Sequence, residues 1–361
     1  MEETRPFVSW DLVHDFMVDV FVKYGVPEED ARICTDVLLE SDRRGIESHG
    51  CNRFKPIYLD RIKNGTLLPK TEIEIVKDTP CTVVMDAHNG MGMVASHKMM
   101  EMLIEKASKY GMAGGTIFNS THYGIAGYWT TMAEKAGMIG ISGTNARPSV
   151  APTFGVEPMM GTNPLTFTMP TDEEFPFNFD CATSIIQNGK IEFYARQGKD
   201  TPAGLVVAKD GGTMTESATI LKEMRAGNVA LLPLGGLGEE TGGYKGYGFT
   251  TIVEILSSAL AGGPFMKALS GKDENATTLC IIWATSSSLS TRRSSWALTP
   301  SRKLPAISAA VCVIPPRLPV RNASILPARR NTWLGWIEKR RVYRLANPFR
   351  RSSFSSEMSW A

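Results

Sequence analysis

The chain has few of the features that mark secreted, membrane-spanning or metal-binding proteins. Its six cysteines include no pair at CxxC spacing, so neither a zinc site nor a disulfide framework is expected. The sequence predicts no bound metal ion. Unpaired cysteines favour a reducing compartment, the cytoplasm. No run of 18 apolar residues exists, which predicts no membrane span, and the acidic first residues lead into no apolar stretch that would predict a secretory signal.

Acidic residues are almost absent from the end of the chain. Residues 279–361 hold fourteen Lys and Arg but only two acids, whereas the first 278 residues hold 25 basic and 35 acidic residues. Five of the seven tryptophans also fall in this basic tail. One interpretation is a shifted reading frame, which would leave a catalytically impaired chain; the alternative is a genuine nucleic-acid-binding tail. Since no sustained periodicity is visible, we expect residues after about Thr278 to lack stable packing onto the body, and the chain to be poorly soluble or weakly active.

Dinucleotide-binding fingerprints are also missing. The glycine-rich stretch 235–248 matches neither GxGxxG nor a Walker A loop, and it carries Glu239 and Glu240 where phosphates would lie. Any dinucleotide must therefore be bound by a fold other than the Rossmann fold.

Helical periodicity dominates the first 70 residues. Apolar residues recur at helical spacing over 9–24, from Pro27 to a stop at Gly45, and from Pro56 to Lys63. Proline followed by acids suits the first turn of a helix, and glycine suits its left-handed end. The sequence then changes to alternating strands and helices, which predicts a mixed α/β (α+β) fold. Strands are predicted at 81–86, 115–118, 138–142, 165–169, 175–179, 191–194 and 229–232, and helices at 94–109, 128–136 and 250–260.

The segment Ser48-His49-Gly50, followed by Arg53, is the most informative motif. It comes directly after the helix stop at Gly45, so His49 is expected in a loop anchored by a helix. Histidine acts as a base near neutral pH, and arginine can hold a carboxylate through two parallel hydrogen bonds. The motif therefore predicts acid–base chemistry beside a carboxylate anchor, although a loop histidine also serves as a plain surface or capping residue.

Four further polar or glycine-rich segments lie next to predicted strands. Such loops let backbone N–H groups approach a phosphate or carboxamide. Two of their residues could have a structural role instead of a functional one. Asp180 could cap a helix that follows it with Ala182, and Lys245 could be a solvated surface charge. The segments are 119–124, 143–148, 161–165 with 179–184, and 233–248.

Together these segments resemble the type-2 malate/L-lactate dehydrogenase family, which also includes ureidoglycolate and sulfolactate dehydrogenases and an imino-acid reductase. The resemblance covers about Val8 to Gly271, is strongest to the malate dehydrogenases and ends near residue 278. It implies oxidation of a small 2-hydroxy acid, malate first, with NAD or NADP. It also implies a non-Rossmann two-domain fold and a homodimer. A helical substrate and dimer domain at 1–75, continued by part of 245–278, would precede a nucleotide-binding domain at 76–245. Neither a membrane nor nucleic acid is expected as a partner.

The resemblance assigns roles to matching residues. Arg53 and Tyr58 would bind substrate. The sequence leaves the base undecided, because Ser48 and His49 can form a relay or His122 can accept the proton directly. Predicted catalytic residues are Ser48, His49, His122 and Asp180, and predicted cofactor-binding residues are His122, Tyr123, Gly124, Asn145, Thr162, Asn163, Asp180, Cys181, Ala182 and Lys245.

Overall fold

The N-terminal part of the computed structural model is helical, as predicted. After strand β1 (Phe7–Val8) come α1 (Trp10–Lys23) and α2 (Glu28–Arg43). The Ser9 hydroxyl caps α1 by accepting from the Leu12 N–H. The left-handed Gly45, with φ of 72°, follows the end of α2. The structure describes residues 7–260, 262–270, 283–291 and 343–344, the last two ranges as backbone.

The third helical segment begins earlier than predicted. His49 ends a 3-10 turn (Glu47–His49) rather than lying in an open loop. A second 3-10 turn (Cys51–Arg53), a π-helical turn (Phe54–Leu59) and α3 (Asp60–Lys63) then follow without interruption. One continuous helical segment therefore carries every side chain from Arg53 to Lys63.

The remaining elements follow in chain order. They mix strands and helices, as the sequence predicts, although the strands at 74–78, 206–208, 283–291 and 343–344 and the helix at 217–225 were not predicted. They are β2 (Glu74–Asp78), β3 (Thr82–Asp86), α4 (Gly92–Tyr110), β4 (Met112–Ser120), α5 (Ala126–Lys135), β5 (Met138–Thr144), β6 (Leu165–Met169), β7 (Phe177–Cys181), α6 (Asn188–Arg196), β8 (Val206–Ala208), α7 (Ser217–Arg225), β9 (Val229–Leu231), α8 (Gly243–Glu254), β10 (Trp283–Thr291) and β11 (Tyr343–Arg344).

Seven strands form one sheet in the order β2-β3-β4-β10-β5-β6-β7. Strand β10 lies between β4 and β5 and is antiparallel to both, with Thr285 opposite Ile117 on one side and Thr144 on the other. Strands β4 and β5 are consequently parallel to each other, and their carboxyl ends lie at the same edge of the sheet. The loops that follow these two strands therefore leave the sheet side by side.

The position of β10 corrects one expectation. Residues 283–291 were expected to lack packing because Ser and Thr dominate them, but they form a central strand, and β11 pairs with β1. A strand bonded on both sides gains backbone hydrogen bonds whatever its side chains, which is why composition alone was misleading. The expectation for residues 279–282, 292–342 and 345–361 lies outside the described residues. The frame-shift and nucleic-acid interpretations stay predictions.

Three local predictions are also corrected. The predicted strand at 191–194 lies inside α6, because Ile191 and Tyr194, three residues apart, share one helix face that packs with Ile220. The predicted strand at 175–179 is shifted to β7. The predicted helix at 250–260 begins earlier, at Gly243, and becomes a π-helical turn (Ile255–Ala259) after α8.

A large apolar core joins the N-terminal helices to the sheet. Its buried residues run from Trp10 in α1 to Met138 in β5, and a second cluster, from Val150 to Leu231, lies around α6, α7 and β9. The helical turns that carry His49 and Arg53 therefore lie on a packed scaffold. In the part of the chain that the structure describes, no helix combines the length and apolarity needed to cross a bilayer. The domain boundaries near 75 and 245 stay predictions.

Candidate active site

Two histidines from distant parts of the chain are stacked on each other. His49 follows α2, and His122 follows β4. Their ring centroids are 5.8 Å apart and the ring planes are inclined by 21°. The fold thus joins the two predicted histidine motifs into one site.

His49 is set up to be neutral at physiological pH. Burial, and then the neighbouring Arg53 charge, lower its pKa to about 4. Its Nδ1 lies 2.8 Å from the Ser48 hydroxyl. Its Nε2 has no hydrogen-bond partner among the described residues. A neutral ring with an available nitrogen can accept a proton.

His122 is held by a different hydrogen-bond pattern. Its Nδ1 accepts the backbone N–H of Gly124 at 3.2 Å and lies 2.5 Å from the Tyr58 hydroxyl. Because an N–H points at Nδ1, the hydrogen-bond network assigns the proton of the neutral ring to Nε2. Burial lowers the pKa of His122 well below its ordinary value, and His49, Arg61, Arg53 and Arg147 lower it further.

Tyr58 lies behind His122 rather than on an open surface. It is fully buried, and its ring packs edge-on against both Phe21 and His122. Burial raises its pKa well above the usual range, so the hydroxyl keeps its proton and can donate to His122. The Tyr58 hydroxyl contacts His122 in this structure, and its direct contact with substrate stays a prediction.

Arg53 lies beside Ser48 and His49, as the motif predicts. Its Nε donates to the Ser48 carbonyl at 2.5 Å, and its Nη2 lies 3.4 Å from a carboxylate oxygen of Glu192 on α6. Its Nη1 has no partner among the described residues. A Cβ on Gly189 would lie only 2.9 Å from Nη2 and 3.1 Å from the Ser48 Cβ, so this glycine leaves the space beside the guanidinium open.

Two further arginines, which the sequence motifs did not single out, carry charges that act on His122. Arg61 is half-buried on α3 and Arg147 is exposed after β5. Burial and the Arg147 charge lower the pKa of Arg61 to about 10. The charges of Arg61 and Arg147 also lower the pKa of His122. The signal for Arg61 was its place three residues after Tyr58 on a helix, and Arg147 was already inside a motif loop.

The predicted cofactor residues Asn145 and Asn163 converge on one buried carboxylate. The Glu254 carboxylate accepts three hydrogen bonds. They come from Asn163 Nδ2 at 2.7 Å, from Asn145 Nδ2 at 3.4 Å and from the Met266 N–H at 2.9 Å. All three side chains are buried, and Asn163 and Met266 have positive φ. The two amides therefore fix their own loops. Glu254, an unpredicted residue, had no signal beyond an acid inside an apolar helix.

The segments around Thr162 and Ala182 lie side by side. The Thr183 N–H donates to the Thr162 carbonyl at 3.0 Å, and the Thr183 hydroxyl bonds that of Thr250 at 2.7 Å. Lys245 is exposed near the start of α8, with its ammonium 5.7 Å from the centre of the Tyr244 ring. No acid of the described residues lies within ion-pair distance of Lys245.

Asp180 is turned to a helix end rather than to the histidine pair. It accepts from the Gly127 N–H in the first turn of α5 and from the Thr166 hydroxyl, both at 2.8 Å. Burial raises its pKa. The helix that it caps is α5, not one following Ala182, and these contacts give no direct support to its predicted catalytic role.

The remaining predicted residues are held in the scaffold. Tyr123 is buried and stacked on Trp129, and Gly124 has φ of 81° with Val37 filling the space a Cβ would need. Cys181 is half-buried in β7, and burial raises its pKa to about 11, so its thiol is protonated. The side chains of Tyr123 and Cys181 are thus packed within the scaffold, and their cofactor-binding role stays a prediction.

Comparisons with known proteins show which family the chain belongs to. The model of the malate/L-lactate dehydrogenase family matches residues 8–290. The malate dehydrogenase of Pyrococcus horikoshii is 43% identical over 280 residues, covering 78% of this chain and 76% of that protein. The L-sulfolactate dehydrogenase of Methanocaldococcus jannaschii is 39% identical over 264 residues, 72% of each chain. The crystal structure of malate dehydrogenase from Entamoeba histolytica superposes with a TM-score of 0.83 at 35% identity, covering 95% of this chain and 94% of that one.

The chain belongs to the malate/L-lactate dehydrogenase family. It is an oxidoreductase that acts on a malate-like 2-hydroxy acid and uses a nicotinamide cofactor. The family match reaches residue 290, past the end of the sequence motifs near 278, and so includes nearly all of β10.

Proposed function

We propose that the chain oxidises malate with NAD or NADP, and that His49 and His122 divide the work on the substrate hydroxyl. The observation that carries this proposal is the stacked, neutral histidine pair beside Arg53. Bound NAD or NADP would accept the hydride from C2 of the acid. The protein must then remove the hydroxyl proton and hold the acid in place.

His49 is the proposed base. If its Nδ1–H donates to Ser48, Nε2 carries the lone pair and can take the hydroxyl proton. His122 has the opposite tautomer, because Gly124 and Tyr58 point at its Nδ1. Its Nε2–H can therefore donate to the substrate oxygen, while Tyr58 fixes the ring. This division favours the Ser48–His49 arrangement over direct proton uptake by His122.

Arg53 is the proposed anchor for the carboxylate next to the reacting carbon. Its Nη1 is available, and its Nη2 makes only a 3.4 Å contact with Glu192 that a substrate carboxylate can replace. A planar guanidinium that binds two oxygens also orients C2 toward the cofactor.

The cofactor would be held by the predicted loops and by Lys245. Four left-handed glycines, at 235, 236, 238 and 242, bend the chain just before α8. The unpaired ammonium of Lys245 suits a phosphate of either nucleotide. The backbones of residues 122–124, 162–163 and 181–182 can approach a carboxamide or ribose. The asparagines would contribute by fixing their loops through Glu254, and NAD and NADP remain equal candidates.

A homodimer in the cytoplasm is the proposed state. Apolar side chains on α8 and the turn after it are about half exposed, namely Phe249, Ile252 and Ile255. A second copy covering them would remove this surface from water. Light scattering on the full chain tests the proposal, and a monomer at micromolar concentration would contradict it.

The reaction is tested with the full chain and a panel of malate, lactate, sulfolactate and ureidoglycolate, each with NAD and with NADP. We expect reduction of a nucleotide with malate. Arg53→Lys should raise KM for the acid far more than KM for the nucleotide, because a point charge cannot replace a planar fork. Arg196→Lys, at the exposed end of α6, is the matched control. Equal changes in both KM values would remove Arg53 from the acid site.

A further inference from the structure

Two arginine side chains next to the histidine pair have no acidic partner. Among the residues that the structure describes, no carboxylate lies within ion-pair distance of Arg61 or Arg147. Arg32, Arg43, Arg44 and Arg53 each have one. The charges of these two guanidinium groups act on each other and repel without an anion, so this arrangement suits a site that an anion completes.

The fold places both arginines at the histidine pair for reasons that can be traced. Tyr58 contacts His122, and Arg61 lies three residues further along the same helical segment, about one turn away. His122 comes two residues after β4, and Arg147 comes three residues after β5. Since Ile117 and Thr144 are level across β10, these two loops leave the sheet at the same edge.

The electrostatics agree with that placement. The charges of Arg61 and Arg147 both lower the pKa of His122, and Arg147 also lowers the pKa of Arg61. The charge of Arg53 acts on both histidines as well. Three cationic groups thus surround one pair of neutral rings, while a 2-hydroxy monocarboxylic acid needs only one of them.

We propose that Arg61 and Arg147 together bind the second acidic group of a dianionic 2-hydroxy acid, a carboxylate or sulfonate, and so select against monocarboxylic acids. The inference rests on the proposed function, in which Arg53 holds the first carboxylate. Arg61, half-buried, fixes the distal group from the helix side. Arg147, exposed, closes on it from the mouth of the site.

The test compares malate with lactate, which lacks the distal carboxylate. Arg61→Gln and Arg147→Gln should each lower kcat/KM for malate by about 10- to 100-fold and change kcat/KM for lactate by less than about 3-fold. Arg147→Lys should fall between the wild type and Arg147→Gln. Arg225→Gln, at the exposed end of α7, is the matched control and should leave the malate-to-lactate ratio unchanged.

A measurement without turnover keeps the test decisive if a variant loses activity. Malate should raise the thermal midpoint of the wild type more than lactate does, and this difference should disappear in Arg147→Gln. Equal losses for both acids would overturn the inference. A raised KM for the nucleotide with an unchanged KM for malate would also overturn the inference, because it would assign Arg61 and Arg147 to a cofactor phosphate. Absence of nucleotide reduction by the wild type with any acid would instead contradict the proposed function.

Discussion

The carboxylate of Glu192 lies 3.4 Å from Nη2 of Arg53 and thereby joins α6 to the turn that carries Ser48 and His49. Both side chains are about three-quarters buried, so the contact is partly shielded from water. A substrate carboxylate that binds Arg53 must either replace Glu192 or share the guanidinium with it.

Glu192→Gln should therefore lower KM for the acid. The substitution removes a negative charge beside the site of an anionic substrate and frees Nη2. We expect a decrease of about 3- to 10-fold with KM for the nucleotide unchanged, measured by steady-state kinetics. Glu223→Gln on α7 serves as the control. A raised KM would mean that Glu192 orients Arg53 productively instead of competing for it.

The two histidines should respond differently to substitution. His49→Gln removes the proposed base, so kcat should fall on the order of 100-fold or more. His122→Gln keeps a side-chain N–H that can donate to the substrate oxygen and should lose less, about 10-fold. Single-turnover rates measure both. A larger loss in His122→Gln than in His49→Gln would reverse the assignment.

Glu254 should matter for stability as well as for cofactor binding. It is 4% exposed and accepts from Asn163, Asn145 and the Met266 N–H. Glu254→Ala leaves these donors buried without an acceptor, which costs about 2–4 kcal/mol. Chemical denaturation measures the loss, and Glu254→Gln, which keeps one carbonyl oxygen, should lose less. KM for the nucleotide should rise in both variants. An unchanged KM in a folded variant would make Glu254 purely structural.

The buried histidines should make the fold sensitive to acid. The folded-state pKa of His49 is about 4, below the ordinary 6.5, so the unfolded chain binds more protons between these values. Stability is therefore complete above about pH 6.5 and is lost as pH falls toward 4, by up to about 1.4 kcal/mol per pH unit for each proton. His122 adds to this effect. Urea unfolding across this range should show a smaller slope for His49→Gln, and an equal slope would contradict the assigned neutrality.

The sequence indicated which candidate residues lie together better than it indicated the contacts between them. Ser48, His49, Arg53 and His122 were recognisable because each motif pairs a reactive side chain with a glycine or proline boundary. The contacts between distant segments were not recognisable. Glu192 at Arg53 and Glu254 at the two asparagines carry no local signal, and the sequence did not indicate that Tyr58, predicted to bind substrate, contacts His122. The roles of Asn145, Asn163 and Asp180 changed for the same reason, because each is occupied by a partner far away in sequence.

The fold shows the same limit. Periodicity located α1, α2, α4 and most strands, yet it missed β10, whose Ser and Thr residues carry no alternation. Hydrogen bonding to β4 and β5 on either side defines that strand, and neither neighbour is near in sequence.

Isotope transfer tests the central claim most directly. The full chain is incubated with NAD, and separately with NADP, and with malate that carries deuterium at C2, and the reduced nucleotide is analysed by mass spectrometry. The proposed chemistry predicts that the deuterium appears at C4 of the nicotinamide, with a primary isotope effect on the single-turnover rate. A reduced nucleotide without the label, or no reduction of either nucleotide, would contradict direct hydride transfer from malate at the His49–His122 site.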